Sequence, residues 1–167
     1  MANLLTISRL FLIPLFLYFL FASPPQRVPA TIIFAIAALT DALDGYVARG
    51  IGQVTELGKI IDPLTDRFFL MAVVVALFIQ FKQPPLFALI IFIIRDLFLL
   101  GGYVFLRRKE KQIQVSILGK TATATLMVAF ALMILGLPIG EILFFLGLAL
   151  YILSAIEYVR SAIKIAF

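Results

Sequence analysis

Four aspartates stand in two pairs along a short stretch of an otherwise apolar chain: Asp41 and Asp44, then Asp62 and Asp66. The chain has nine acidic residues, and five of them fall between Asp41 and Asp66. On a helix advancing about 100° per residue, an i,i+3 pair lies about 60° apart and an i,i+4 pair about 40° apart. Each pair therefore points from one face of its own helix. Like charges at this spacing repel, and an ionised Asp within a bilayer costs roughly 2.5–3.5 kcal/mol. A cation between the two pairs relieves both penalties. The chain has no His and no Cys, so every strong donor is an oxygen, which favours hard ions such as Mg²⁺, Mn²⁺ or Ca²⁺ over Zn²⁺. Four carboxylates suit one ion or two. A merely hydrated acidic link between helices would need no such regular spacing.

The same faces are kept small. Gly45 follows Asp41 by four positions, Ala48 follows Asp44 by four, and Gly58 precedes Asp62 by four. Small side chains admit a ligand or a facing helix. Arg49, one turn past Gly45, is placed to pair with an anionic phosphate or to anchor the helix at the membrane surface. Carboxylates, a divalent ion, an arginine and a glycine-lined approach together describe phosphoryl-group chemistry. Without His or Cys, a general base comes from Asp, Glu, Lys or Tyr, and the aspartates are the nearest candidates.

The elements that position these residues are membrane helices. Of the 167 residues, 63% are hydrophobic, where a soluble domain is about half apolar. Six apolar segments approach the roughly 20 residues needed to cross a bilayer: 3–22, 28–48, 61–81, 85–106, 116–137 and 140–159. They predict one all-α integral membrane domain over residues 1–167, with six transmembrane helices. The first segment has no basic leading region and carries Arg9 inside its apolar run, so it reads as a mature helix, partly interfacial, and not as a cleaved signal. The pairs Pro24-Pro25 and Pro84-Pro85 mark links on the outer side. Eleven of the 14 Lys and Arg residues lie near the two termini and in the 2–3 and 4–5 links; Arg27 and Lys82 lie on the other side, and Arg95 within a helix. That asymmetry places both termini in the cytoplasm. The net charge of +5 then reflects topology and attraction to anionic lipid headgroups, with no nucleic acid implied.

The pattern Asp41-x2-Asp44-Gly45-x2-Ala48-Arg49-x8-Gly58-x3-Asp62-x3-Asp66 resembles, at all eight fixed positions, the signature of the CDP-alcohol phosphotransferases. Members of that family are six-helix membrane proteins, commonly homodimers, with a metal site near the cytoplasmic face. The resemblance implies Mg²⁺ or Mn²⁺, one or two ions, on Asp41, Asp44, Asp62 and Asp66, with Asp66 also the proton acceptor. It implies CDP-lipid contacts from Thr6, Asp41, Gly45, Arg49, Thr55 and Gly58; the compact length, the lack of Cys and of a targeting segment suit a prokaryotic cytoplasmic membrane. The opening Asn3-x2-Thr6-x2-Arg9-x2-Leu12-x-Pro14, the pair Gly119-Lys120 and the ending "ILSAIEYVR" are similar to the phosphatidylglycerophosphate synthase branch. Within that branch the substrates are CDP-diacylglycerol and glycerol 3-phosphate, and the products are phosphatidylglycerol phosphate and CMP.

Some positions depart from that branch: Arg95-Asp96 stands where Arg-Glu is usual, Tyr103 replaces a second Arg, and Ala122 replaces a Lys. The Arg-Asp pair resembles the family's cardiolipin synthases, so phosphatidylglycerol, or else inositol phosphate, is the alternative acceptor. Arg95 lies amid apolar residues, where an unpaired guanidinium is costly. It either pairs with Asp96 or a signature aspartate, or clamps the acceptor phosphate together with Lys120. The basic run containing Arg107 and Arg108 reads as a membrane anchor and, less directly, as a phosphate contact. A divalent-cation transporter is the reading from another class. Transporters show paired repeats, and the acidic cluster has no counterpart in residues 85–167.

Overall fold

A computed structural model describes residues 2–51, 58–108 and 116–166, with side chains over 11–40, 67–99, 101–102 and 116–160. It contains six helices, and no strand among the described residues: α1 (Ala2–Leu20), α2 (Arg27–Ile51), α3 (Gly58–Phe81), α4 (Leu86–Arg108), α5 (Ile117–Leu135) and α6 (Ile139–Ala166). These answer to the six apolar segments one for one. The ends differ where the chain turns polar. α2 continues to Ile51, α3 begins at Gly58, and α6 runs on to Ala166. An apolar window registers the hydrocarbon-sized core of a helix, while the backbone bonds go on through Arg49, Lys59, Arg160 and Lys164.

Polar side chains inside the apolar helices bond to their own backbone. The hydroxyls of Thr31, Thr40 and Thr125 donate to the carbonyls of Arg27, Ile36 and Thr121, four residues back, at 2.7–2.9 Å. This satisfies each hydroxyl without water. α5 is closed at both ends. The Ser116 hydroxyl accepts from the Gly119 N–H at 3.1 Å. At the other end Gly136 takes the left-handed conformation, φ 78°, with Gly136 N–H donating to Met133 O and Leu137 N–H to Leu132 O. That pair of hydrogen bonds is the Schellman close, for which glycine is suited.

The core joins all six helices through aromatic contacts and small residues. Phe34 of α2 stacks on Phe69 of α3, with centroids 5.8 Å apart. Phe92 of α4 stacks on Tyr151 of α6 at 5.3 Å and meets Phe130 of α5 edge-on. Large apolar side chains also cover the outside, among them Phe11, Tyr18, Leu39, Phe98 and Ile142. A water-facing surface with so much contiguous apolar area is rare in a soluble monomer. Two helices are long and apolar enough to cross a membrane over their described residues, Ile117–Leu135 and Ile139–Arg160.

In lipid the apolar faces of two helices gain little by leaving solvent for one another, and association rests on close packing. α5 and α6 illustrate this. A Cβ on Gly140 would stand 2.7 Å from Met133 N and 2.9 Å from Leu132 C, both backbone atoms of α5. Gly140→Ala is expected to lower unfolding free energy in detergent by about 1–3 kcal/mol, the usual cost of overpacking. Gly101→Ala is its control, because nothing lies within 4 Å of the added methyl; it should shift stability by less than about 1 kcal/mol. Equal losses from the two would show that the α5–α6 approach is not the cause.

Candidate active site

Neighbouring helix ends fix the direction of each helix. The Arg27 guanidinium at the start of α2 lies 4.3 Å above the Phe81 ring at the end of α3. It also sits where a Cβ on Gly136, just past α5, would fall. Gln83, between α3 and α4, donates to Glu141 in the first turn of α6 at 3.4 Å. The starts of α2, α4 and α6 thus share one end of the bundle with the finishes of α3 and α5. The finish of α2, the start of α3, the finish of α4 and the start of α5 lie towards the other end. Those are the stretches that carry the sequence pattern.

Asp41, Asp44, Gly45 and Arg49 occupy the closing turns of α2. Gly58 opens α3, and Asp62 and Asp66 follow on its early turns. Both stretches are helical, as the i,i+3 and i,i+4 spacings require. The side chains of all these residues lie outside the described ones, as do those of Thr6 in α1 and of Tyr103, Arg107 and Arg108 in α4. Thr55 falls outside the described residues altogether. Among the described residues no group of three His, Cys, Asp or Glu side chains is placed to hold a metal. The donor set on α2 and α3 is all carboxylate, a chemistry that fits Mg²⁺ or Mn²⁺.

The described part of this end contains a polar cluster inside the apolar bundle. Arg95 and Asp96 of α4 are buried, at 8% and 1% exposure, and so is Ser154 of α6. The Arg95 guanidinium is planar and stacks 3.3 Å above the Tyr151 ring. Its Nε donates to Tyr151 O at 3.2 Å, its Nη1 to Asp96 Oδ1 at 3.1 Å, and its Nη2 to Ser154 Oγ at 2.7 Å. Of the pairings open to Arg95, the one with Asp96 is therefore formed. Arg67, directly after Asp66, reaches across from α3 and donates through Nη1 to Asp96 Oδ1 at 2.8 Å and to the Tyr151 hydroxyl. That hydroxyl in turn donates to Asp96 Oδ1. Three donors converge on one oxygen, while Asp96 Oδ2 is buried without a hydrogen-bond partner among the described residues.

Lys120 stands exposed in the first turn of α5 and makes no hydrogen bond or ion pair to this cluster among the described residues. Ala122, two positions on, is fully buried in the core. The contributions of Arg67, Tyr151 and Ser154 were not visible in the sequence. Arg67 counted there only as one of the cytoplasmic charges. Its place next to Asp66, and the i,i+3 polar pair Tyr151 and Ser154 in an apolar helix, were the available signals.

A six-helix bundle with this aspartate pattern at one end has a recognised counterpart. The chain belongs to the CDP-alcohol phosphatidyltransferase family, which matches residues 1–153. Among its relatives, the CDP-diacylglycerol–glycerol-3-phosphate 3-phosphatidyltransferase of Rickettsia bellii is 31% identical, covering 97% of this chain and 94% of the relative. The protein of the same name from Aquifex aeolicus is 32% identical over 99% of this chain and 97% of its own. The cardiolipin synthase (CMP-forming) of Streptomyces coelicolor is 35% identical over 80% of this chain and 64% of its own.

Proposed function

We propose that the chain transfers the phosphatidyl group of CDP-diacylglycerol to glycerol 3-phosphate, giving phosphatidylglycerol phosphate and CMP. The observation that carries this reading is near-full-length similarity to relatives so named, joined to an unbroken Asp41–Asp66 pattern. The oxygen of the acceptor hydroxyl attacks the phosphorus next to the diacylglycerol. The bond from that phosphorus to the bridging oxygen breaks, and CMP leaves with the electron pair. Asp66 takes the hydroxyl proton. Asp41, Asp44, Asp62 and Asp66 hold Mg²⁺ or Mn²⁺, one ion or two, which when bound neutralises charge on the diphosphate.

Thr6, Gly45, Arg49, Thr55 and Gly58 complete the CDP-lipid side on this reading. Arg95, Lys120, Arg107 and Arg108 meet the acceptor phosphate. Support for Arg95 is that its described bonds use three of the five guanidinium N–H groups. All six helices cross the cytoplasmic membrane, with both termini and the active site on the cytoplasmic side. The charge asymmetry supports this orientation. The family resemblance extends the reading to a homodimer.

Phosphatidylglycerol is the second acceptor to test, because Arg95-Asp96 matches the cardiolipin synthase pattern and one such enzyme is among the relatives. Purified protein given CDP-diacylglycerol, Mg²⁺ or Mn²⁺ and a panel of acceptors is expected to release CMP with glycerol 3-phosphate. Release with phosphatidylglycerol alone replaces the acceptor. No metal-dependent release with any acceptor removes the transferase reading.

A further inference from the structure

We propose that Arg67 contacts a phosphate group of a bound substrate, and that Asp96 and Tyr151 are the positioning residues that aim it. This rests on the transferase reading above and adds a residue to its phosphate-binding side. The first ground is where the side chain goes. A surface anchor extends its charge out to the headgroups. Arg67 instead turns inward across the bundle to α4 and α6, with its side chain only 31% exposed.

The second ground is charge. Within the described cluster two guanidinium groups, those of Arg67 and Arg95, share a single carboxylate, that of Asp96. A purely structural arginine–carboxylate pair gains most by using both carboxylate oxygens in a fork. Here Arg67, Arg95 and the Tyr151 hydroxyl all crowd Oδ1, and among the described residues Oδ2 is left over. Counted over the described residues alone, the cluster carries two cations and one anion in a setting that penalises unbalanced charge, which an anion beside it would balance.

The third ground is the division of roles. Arg95 is the more buried and is held by Tyr151 and Ser154 as well as Asp96. Arg67 is tethered through Nη1 alone among the described residues. That tether restrains the guanidinium and, among the described residues, leaves Nε and Nη2 unengaged, the edge suited to a phosphate fork. Its neighbour in the chain is Asp66, the proposed proton acceptor, so the tether is on the same turn of α3 as the proposed chemistry. Both substrates supply such a group: a monoester in glycerol 3-phosphate and a diphosphate in CDP-diacylglycerol.

The test follows CMP release by the purified enzyme in Mg²⁺, varying each substrate separately, beside a melting curve in detergent. Arg67→Gln is expected to raise one KM by roughly 10–100-fold, as for loss of a charged hydrogen bond, while the melting temperature stays near wild type. A change in KM for glycerol 3-phosphate assigns the monoester, and a change for CDP-diacylglycerol the diphosphate. Arg67→Lys restores part of the loss. Tyr151→Phe keeps the ring under Arg95, removes only the hydroxyl, and should raise the same KM about 3–10-fold. Asp96→Asn should move it in the same direction; if that variant does not fold, Tyr151→Phe carries the test of positioning. Folded Arg67→Gln with both KM values and kcat within about twofold of wild type overturns the proposal. So does a lowered melting temperature with unchanged KM, which marks a structural brace. Absence of CMP release from the wild type instead removes the transferase reading itself.

Discussion

Asp66→Asn is expected to abolish CMP release while leaving CDP-diacylglycerol bound. The change keeps the size of the side chain and takes away the charge. An alcohol hydroxyl is a weak acid, and its oxygen becomes a competent nucleophile only as the proton is drawn off. An amide cannot accept that proton. Loss of a general base alone costs about 10²–10⁴-fold in rate, and Asp66 is also proposed as a metal ligand, so the combined loss should sit at or beyond the upper figure. On the proposed reading binding draws on more of the site, including Gly45 and Arg49 on α2, and should persist. Retention of labelled CDP-diacylglycerol by the purified variant, measured beside single-turnover CMP release, separates the two effects. Turnover above about 1% of wild type removes Asp66 from the role of base.

Chelation is the second large effect. Treatment with EDTA is expected to stop CMP release, with recovery on adding back Mg²⁺ or Mn²⁺ and none with Zn²⁺. The chain offers no His and no Cys, so soft or borderline ions find no preferred ligand. A diphosphate and four carboxylates cannot share a small volume without countercharge. Electrostatic stabilisation by a divalent ion is worth several kcal/mol, and the loss should therefore reach about 10³-fold or more. Asp41→Asn should raise the concentration of Mg²⁺ needed for half-maximal turnover, which ties the requirement to the carboxylates and not to the lipid substrate. Undiminished turnover in EDTA excludes the metal.

The six helices were legible in the sequence because each is built on a long apolar segment, and the Pro pairs mark two of the links. Errors fell at helix ends, as at Ile51, Gly58 and Ala166, where the helix outlasts its apolar stretch. The candidate site divided in the same way. Asp41, Asp44, Asp62 and Asp66 declare themselves through spacing along single helices, which a linear chain displays. Arg67, Asp96 and Tyr151 meet across separations of 29, 55 and 84 residues, and nothing local announces such a meeting. Arg67 was hidden further by its surroundings, since an arginine close to the polar start of an apolar helix already has a reason to be there. The Arg95–Asp96 contact is between chain neighbours and could be anticipated; the seat of Arg95 on the Tyr151 ring could not.

The tether on Arg67 has one more consequence, for the azimuth of α3. A smooth apolar helix in lipid can spin about its long axis at little cost, because most of its faces meet much the same surroundings. α3 lacks that freedom, because Phe69, Val73 and Leu77 form a buried face and a guanidinium is pinned to α4 and α6 beside it. Each residue advances about 100° around the axis, so an error of a single residue would swing the aspartates of α3 through more than a right angle. The buried face of α3 sets its phase, Arg67 adds a polar index mark to that setting, and Asp66, one place before it in the chain, inherits it.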